Sequence, residues 1–232
     1  MRTCPVLNAA LLLVLFVGPA CVEAADNDYK ITMTMTDPAG NERVAETYIV
    51  GGRALEVVDG RLNSVMDLGE ATWTDVKSKR TVPLVECIAW VDEITRNNIE
   101  RMNKAADSHN KWIRQRMLEP EFEVEQVDEL LVLSSQYFVY RISPAPDVSA
   151  EQAKLYYEYD RLNANCGAMV RGELPPNVTL AILEELQPRG IVPASMDFEQ
   201  EFDNEITSLT ITYDYGALTS EERAQVAEWL TE

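Results

Sequence analysis

The chain has 232 residues, 39 acidic against 20 basic side chains, one histidine and four cysteines, and a formal net charge of −19. A charge this negative repels nucleic acid and anionic lipid surfaces, so neither is an expected partner. One histidine and scattered cysteines also leave too few ligands for a zinc centre, and no metal site or cofactor is expected.

The chain opens Met1-Arg2-Thr3-Cys4 and runs apolar from Ala9 to Val17. Gly18-Pro19-Ala20 and Val22-Glu23-Ala24 follow. A charged start, a short apolar stretch and a small-residue end read as a signal peptide over 1–24, cleaved after Ala24. The second reading is a lipid anchor on Cys21. No later segment is apolar enough to cross a bilayer. Residues 25–232 are expected to form a single exported domain, periplasmic or secreted, with no Gly/Ser-rich linker and no fixed-period repeat.

Tyr29, Ile31, Met33 and Met35 alternate with Lys30, Thr32, Thr34 and Thr36, the period of a strand with one apolar face. Asp37-Pro38-Ala39-Gly40-Asn41 supplies a turn. Strands are then expected at Thr47 to Val50, Ala54 to Val58, Leu62 to Leu68, Thr72 to Val76 and Arg80 to Val82. Gly51-Gly52 and Asp59-Gly60 punctuate them, the latter being the strongest hairpin signal in the chain. Links this short make antiparallel neighbours.

Pro83 opens a helical pattern from Leu84 to Met117, with a break expected near 107–110. His109 falls on its apolar stripe and reads as a packed residue rather than a catalyst. The segment 96–118 holds six basic residues and two acidic ones inside an acidic chain. Arg101, Lys104 and Arg114 are the candidate anion or partner patch, and internal charge complementarity is the plainer account. Phe122 and Val124 alternate with Glu121, Glu123 and Glu125, so strands resume after Pro120. A hairpin follows over Leu130–Leu133 and Gln136–Ile142. Ser149 with Gln152 forms a capping box that starts a helix bearing Leu155, Tyr156, Tyr159, Leu162 and Cys166. A short helix carries Ile182, Leu183 and Leu186. Strands return at Met196–Phe202 and Ser208–Tyr215, and Thr219 with Glu222 caps a last helix. Asn177-Val178-Thr179 matches a glycosylation sequon. The two acidic strand faces, Glu121–Glu125 and Asp197–Asp203, would hold Ca²⁺ if adjacent, but a solvated face is the preferred account.

Strands cluster instead of alternating singly with helices, so the fold class is α+β: a long, twisted antiparallel sheet, a meander, with helices covering one face. Cys87 and Cys166 both fall on apolar helical faces. A bridge between them would close a loop of roughly 80 residues and contribute about 4 kcal/mol; two buried free thiols are the other reading.

Tyr159-x-x-Leu162-Asn163-Ala164, then Leu174-Pro175-Pro176, Leu180, Leu186, Gly190 and Pro193, resembles a segment of exported bacterial proteins with no assigned activity. The resemblance covers about 159–193 and carries over no functional residue. In architecture alone, the expected sheet and helices are similar to exported carriers of the lipoprotein-chaperone type.

No catalytic motif stands out. There is no Gly-x-Ser-x-Gly elbow and no phosphate-cradling loop, and a serine or cysteine nucleophile would have only His109 as base. The expected function is therefore non-enzymatic binding, with an apolar ligand held between sheet and helices. The alternatives are a two-carboxylate hydrolase of a cell-surface polymer and an envelope interaction module that docks a protein partner through 96–116.

Overall fold

The computed structural model describes residues 28–104, 114–136, 138–173, 175–202 and 205–231. The expected signal peptide over 1–24, the alternative anchor Cys21, Lys111 and His109 lie outside them.

Eleven strands form one antiparallel sheet. In chain order they are β1 (Tyr29–Thr36), β2 (Glu42–Val50), β3 (Arg53–Val58), β4 (Arg61–Asp67), β5 (Thr72–Asp75), β6 (Arg80–Pro83), β7 (Glu123–Val127), β8 (Leu130–Ser134), β9 (Phe138–Pro144), β10 (Pro193–Phe202) and β11 (Glu205–Ala217). Across the sheet the order is β6-β5-β4-β3-β2-β1-β11-β10-β9-β8-β7. Two meanders thus run outward from a central seam, where β1 pairs with β11 from Tyr29↔Ala217 to Thr36↔Thr210. Tight turns set each register. Asp59 and Gly60 both take positive φ, 50° and 73°, the geometry of a two-residue hairpin whose twist matches its strands.

The helices are α1 (Leu84–Lys104), α2 (Ala150–Arg171), α3 (Asn177–Leu186) and α4 (Ser220–Trp229), with a π-helical turn at Arg114–Leu118 and a 3₁₀ turn at Gln187–Arg189. The expected helix over 84–117 is thus α1 and the π-helical turn, on either side of residues 105–113. Both capping boxes are present: Ser149 and Thr219 accept from the backbone N–H of Gln152 and Glu222, whose side chains reach back. The segment from α1 to the π-helical turn links the two sheet edges, β6 and β7, while α2 and α3 fill the connection from β9 to β10.

One apolar core joins α1, α2 and α3 to a single sheet face. It runs from Trp73 and Val82 on β5 and β6, through Tyr29 and Ile31, to Leu131 and Leu133 on β8. Laid flat, eleven strands would span about 48 Å; sharing one core requires the sheet to curl around α2, as wide twisted sheets do. The antiparallel α+β architecture matches the sequence expectation. The refinement is α4, which packs on the opposite face, where Tyr48, Leu55, Val57, Leu218 and Val226 form a second core. The ring of Trp229 meets Tyr48 edge-on at 5.6 Å. Lys30, on that outer face, bridges to Glu222 at 2.7 Å and Glu46 at 3.2 Å.

Cys87 and Cys166 are joined as a disulfide between α1 and α2, with Cα atoms 5.0 Å apart and both residues fully buried. The acidic strand faces are not neighbours: β7 is an edge, and β8 and β9 separate it from β10. Glu199 on β10 instead pairs with Arg141 at 2.8 Å. No three potential metal-ligating residues cluster among the described residues.

Candidate functional site

The inner sheet face is fully covered at one end and hollow at the other. At the covered end three tyrosine hydroxyls donate to backbone carbonyls: Tyr29 to Gln152 (2.9 Å), Tyr157 to Ile191 (2.7 Å) and Tyr215 to Pro193 (2.8 Å). The Tyr29 and Tyr157 rings are buried and the Tyr215 ring half-buried, while each polar tip finds a partner. Tyr156, Tyr157 and Tyr159 on α2 are all buried, so the tyrosine stripe on that helix is packing.

The hollow end is a cavity of 720 Å³. Its sheet wall is read from the register. Met35 on β1 stands opposite Arg43 on β2, and Phe198 on β10 stands opposite Tyr140 on β9. Side-chain alternation puts these four and Phe138 on the inner face, and all five line the cavity. The rings of Phe198 and Tyr140 lie 4.9 Å apart, and Phe122 meets Phe138 edge-on at 5.7 Å, so the aromatic wall is braced from behind. The opposite wall is helical: Ala164 on α2, Val178 and Thr179 on α3, and Met117 on the π-helical turn. Local chemistry explains the space. Ala164 presents only a methyl group, and α2 stops at Gly172, in the left-handed region at φ 70°, before Pro175 and Pro176 redirect the chain.

Among the described residues, two charged side chains line this cavity, and they differ. Glu173 is held by Arg171, whose Nε lies 2.7 Å from its Oε1, off the N–H axis. Its folding back over α2 depends on Gly167, where a Cβ would collide with the Glu173 carboxylate. Arg43 is exposed at the mouth, and its guanidinium has no hydrogen-bond or ion-pair partner among the described residues.

Beside the cavity lies a buried polar network that sequence reading missed. Glu56 on β3 accepts from Arg171 (2.8 Å), Asn63 (2.6 Å), Ser64 (3.0 Å) and Asn163 (3.3 Å). Arg171 also lies 5.2 Å over the Trp73 ring. Burial pushes the Glu56 carboxyl up, but the Arg171 charge and hydrogen bonds outweigh it and hold it below its ordinary value. Asp160, near Tyr156 and Tyr213 on the same sheet face, moves the other way. Burial and the Glu56 charge push its carboxyl up to about 6, against a Tyr156 hydrogen bond that lowers it. The folded state then keeps a proton that the unfolded chain has lost, so stability falls as pH rises from 3.8 to about 6. Asp160→Asn is expected to flatten this window and raise stability at pH 8 by about 3 kcal/mol, read by urea unfolding at pH 4 and pH 8.

Of the candidate basic patch, Arg101 and Lys104 project from the end of α1 into solvent. Arg114 is tied down on the π-helical turn: it pairs with Glu119 and donates to Asn103 at 2.7 Å. The patch and the cavity share no described residue. The sequon asparagine Asn177 is engaged too, donating to the Leu118 carbonyl at 3.0 Å and to Thr95 at 3.3 Å. A glycan on that nitrogen would replace one of its two N–H donors and so cost at least one of these bonds.

No helix among the described residues is long and apolar enough to cross a membrane. The chain matches no protein-family model and no curated protein.

Proposed function

We propose that this protein is an exported, non-enzymatic binding protein that holds an apolar ligand between its curled sheet and its helices. The observation that carries this is the 720 Å³ cavity on the inner face, walled by Phe138, Tyr140, Phe198, Met35 and Met117. Ligand sites are typically concave, mostly apolar and about 300–1,000 Å³ in volume. Methionine and aromatic walls adapt to flexible hydrocarbon. The N-terminal signal-like segment supports an envelope or extracellular setting, and lipid attachment at Cys21 is the variant of that setting. The similarity in architecture to lipoprotein-carrying sheets fits the same role.

The hydrolase reading has weaker support. Glu56 and Asp160 are carboxylates with oppositely shifted affinities for protons, the pattern an acid–base pair needs. Neither lines the cavity, however, and both Glu56 oxygens are occupied by hydrogen bonds. The partner-docking reading retains Arg101 and Lys104 as its exposed residues.

Filling the cavity tests the proposal. Val178→Trp on α3 and Ala164→Phe on α2 add side-chain volume at two separate points of the helical wall. Uptake of the neutral probe N-phenyl-1-naphthylamine should drop at least tenfold in both variants, with unfolding midpoints near the parent value. Uptake that is absent in the parent, or unchanged in both folded variants, would overturn the proposal.

A further inference from the structure

We infer that the ligand is a single-chain amphipath with an anionic head, its chain in the cavity and its carboxylate or phosphate on Arg43. The inference rests on the apolar-ligand proposal and adds its head-group chemistry.

The first observation is placement. Arg43 shares the inner sheet face with Met35, its register partner on β1, so the charge stands at the exposed end of an apolar row. The second is its lack of a partner. Acidic residues outnumber basic ones 39 to 20 in this chain. Arg53, Arg141, Arg171 and Arg223 all sit in ion pairs. Arg43, like Arg61, Arg80 and Arg96, has none among the described residues, but it alone of these lines the cavity, which Glu173 also lines. Glu173 is taken by Arg171. Among the described residues, Arg43 is thus the one basic side chain lining the cavity, and it stands exposed and without a described partner.

The third observation is chemical fit. A guanidinium is always charged and offers paired N–H donors that match a carboxylate or phosphate. Among the described residues, the aromatic and methionine walls behind it hold no free charge, and hydrocarbon enters while the head stays in water. The strongly negative surface would repel a free anion, so an anionic head is retained only when its own chain is buried. Arg43 therefore sorts amphipaths by head charge and the cavity sorts them by chain.

The test uses the full exported chain, freed of bound lipid, with displacement of N-phenyl-1-naphthylamine as the readout. Four competitors separate the terms: palmitate, palmitoyl lysophosphatidate, methyl palmitate and inorganic phosphate. The parent should bind palmitate or the lysophosphatidate about tenfold more tightly than methyl palmitate, and phosphate should displace nothing. Arg43→Gln should erase the difference, and Arg43→Glu should reverse it. Whichever of the two anions gains more identifies the head. Equal affinity for charged and neutral chains in the parent, or a preference that survives in Arg43→Gln, would overturn the inference and leave the apolar-ligand proposal standing. Failure of every chain to displace the probe would overturn both.

Discussion

Replacing Cys87 and Cys166 with serine is expected to lower folding stability by about 4 kcal/mol, through loss of a cross-link spanning 79 residues. The cross-link joins α1, which leaves sheet edge β6, to α2, which follows β9 in the other meander. It closes a loop that contains β7, β8 and β9, so the unfolded chain without it gains the freedom of that whole segment. Both residues are fully buried, and two hydroxyls in their place would also lack an obvious polar partner. Alanine variants separate these effects: Cys87→Ala with Cys166→Ala removes the link without burying hydroxyls. Urea unfolding of the parent, with and without reductant, should give a midpoint shift close to that of the alanine pair. A shift below about 1 kcal/mol would mean that the bridge does not constrain the unfolded state.

The second large effect is expected at Arg171. Arg171→Met should destabilise the protein by about 3–5 kcal/mol, because it strands the Glu56 carboxylate inside the sheet–helix interface. Arg171 and Glu56 side chains are only 17% and 15% exposed. Methionine keeps the hydrocarbon stem over Trp73 but removes the charge. Adding Glu56→Gln should recover much of the loss, since the amide still accepts a hydrogen bond and carries no charge to desolvate. A double-mutant cycle by urea unfolding reads the coupling directly. The pH dependence follows the same pair. The Glu56 carboxyl is held below its usual 4.5 in the folded state, so its contribution is complete above that pH and is lost as pH falls through the folded value. Arg171→Met should remove that acid limb, while the opposite slope from Asp160, between 3.8 and about 6, should remain. If Arg171→Met and the double variant were equally unstable, the stranded charge would not be the cause.

Much of the sheet is legible because its signals are local. The alternation at Tyr29–Met35, the Asp59-Gly60 turn and the two capping boxes each act within a few residues. The seam between β1 and β11 is not, because antiparallel pairing over 180 residues has no local signature. The placement of α4 had one overlooked signal. Tyr48-Ile49-Val50 and Leu55 beside Val57 and Val58 break the one-sided alternation, as expected where a sheet is buried on both faces. Inner residues Ile49 and Ala54 and outer residues Tyr48 and Leu55 are all buried. Glu56 lies within that same run, an acid on the inner face, and its partner stands 115 residues away. The cavity could not be read at all. Phe138, Tyr140 and Phe198 alternate like any core residues, and the space before them comes from what Ala164, Pro175 and Pro176 do not fill. Arg43 looks like an ordinary surface residue until the register sets it beside Met35.

Native mass spectrometry of the protein, purified without refolding, tests the central claim most directly. The account predicts an added mass, that of a single-chain lipid, which leaves on denaturation and is missing from the Val178→Trp variant. A bare chain mass in the parent, under conditions that keep it folded, would contradict it.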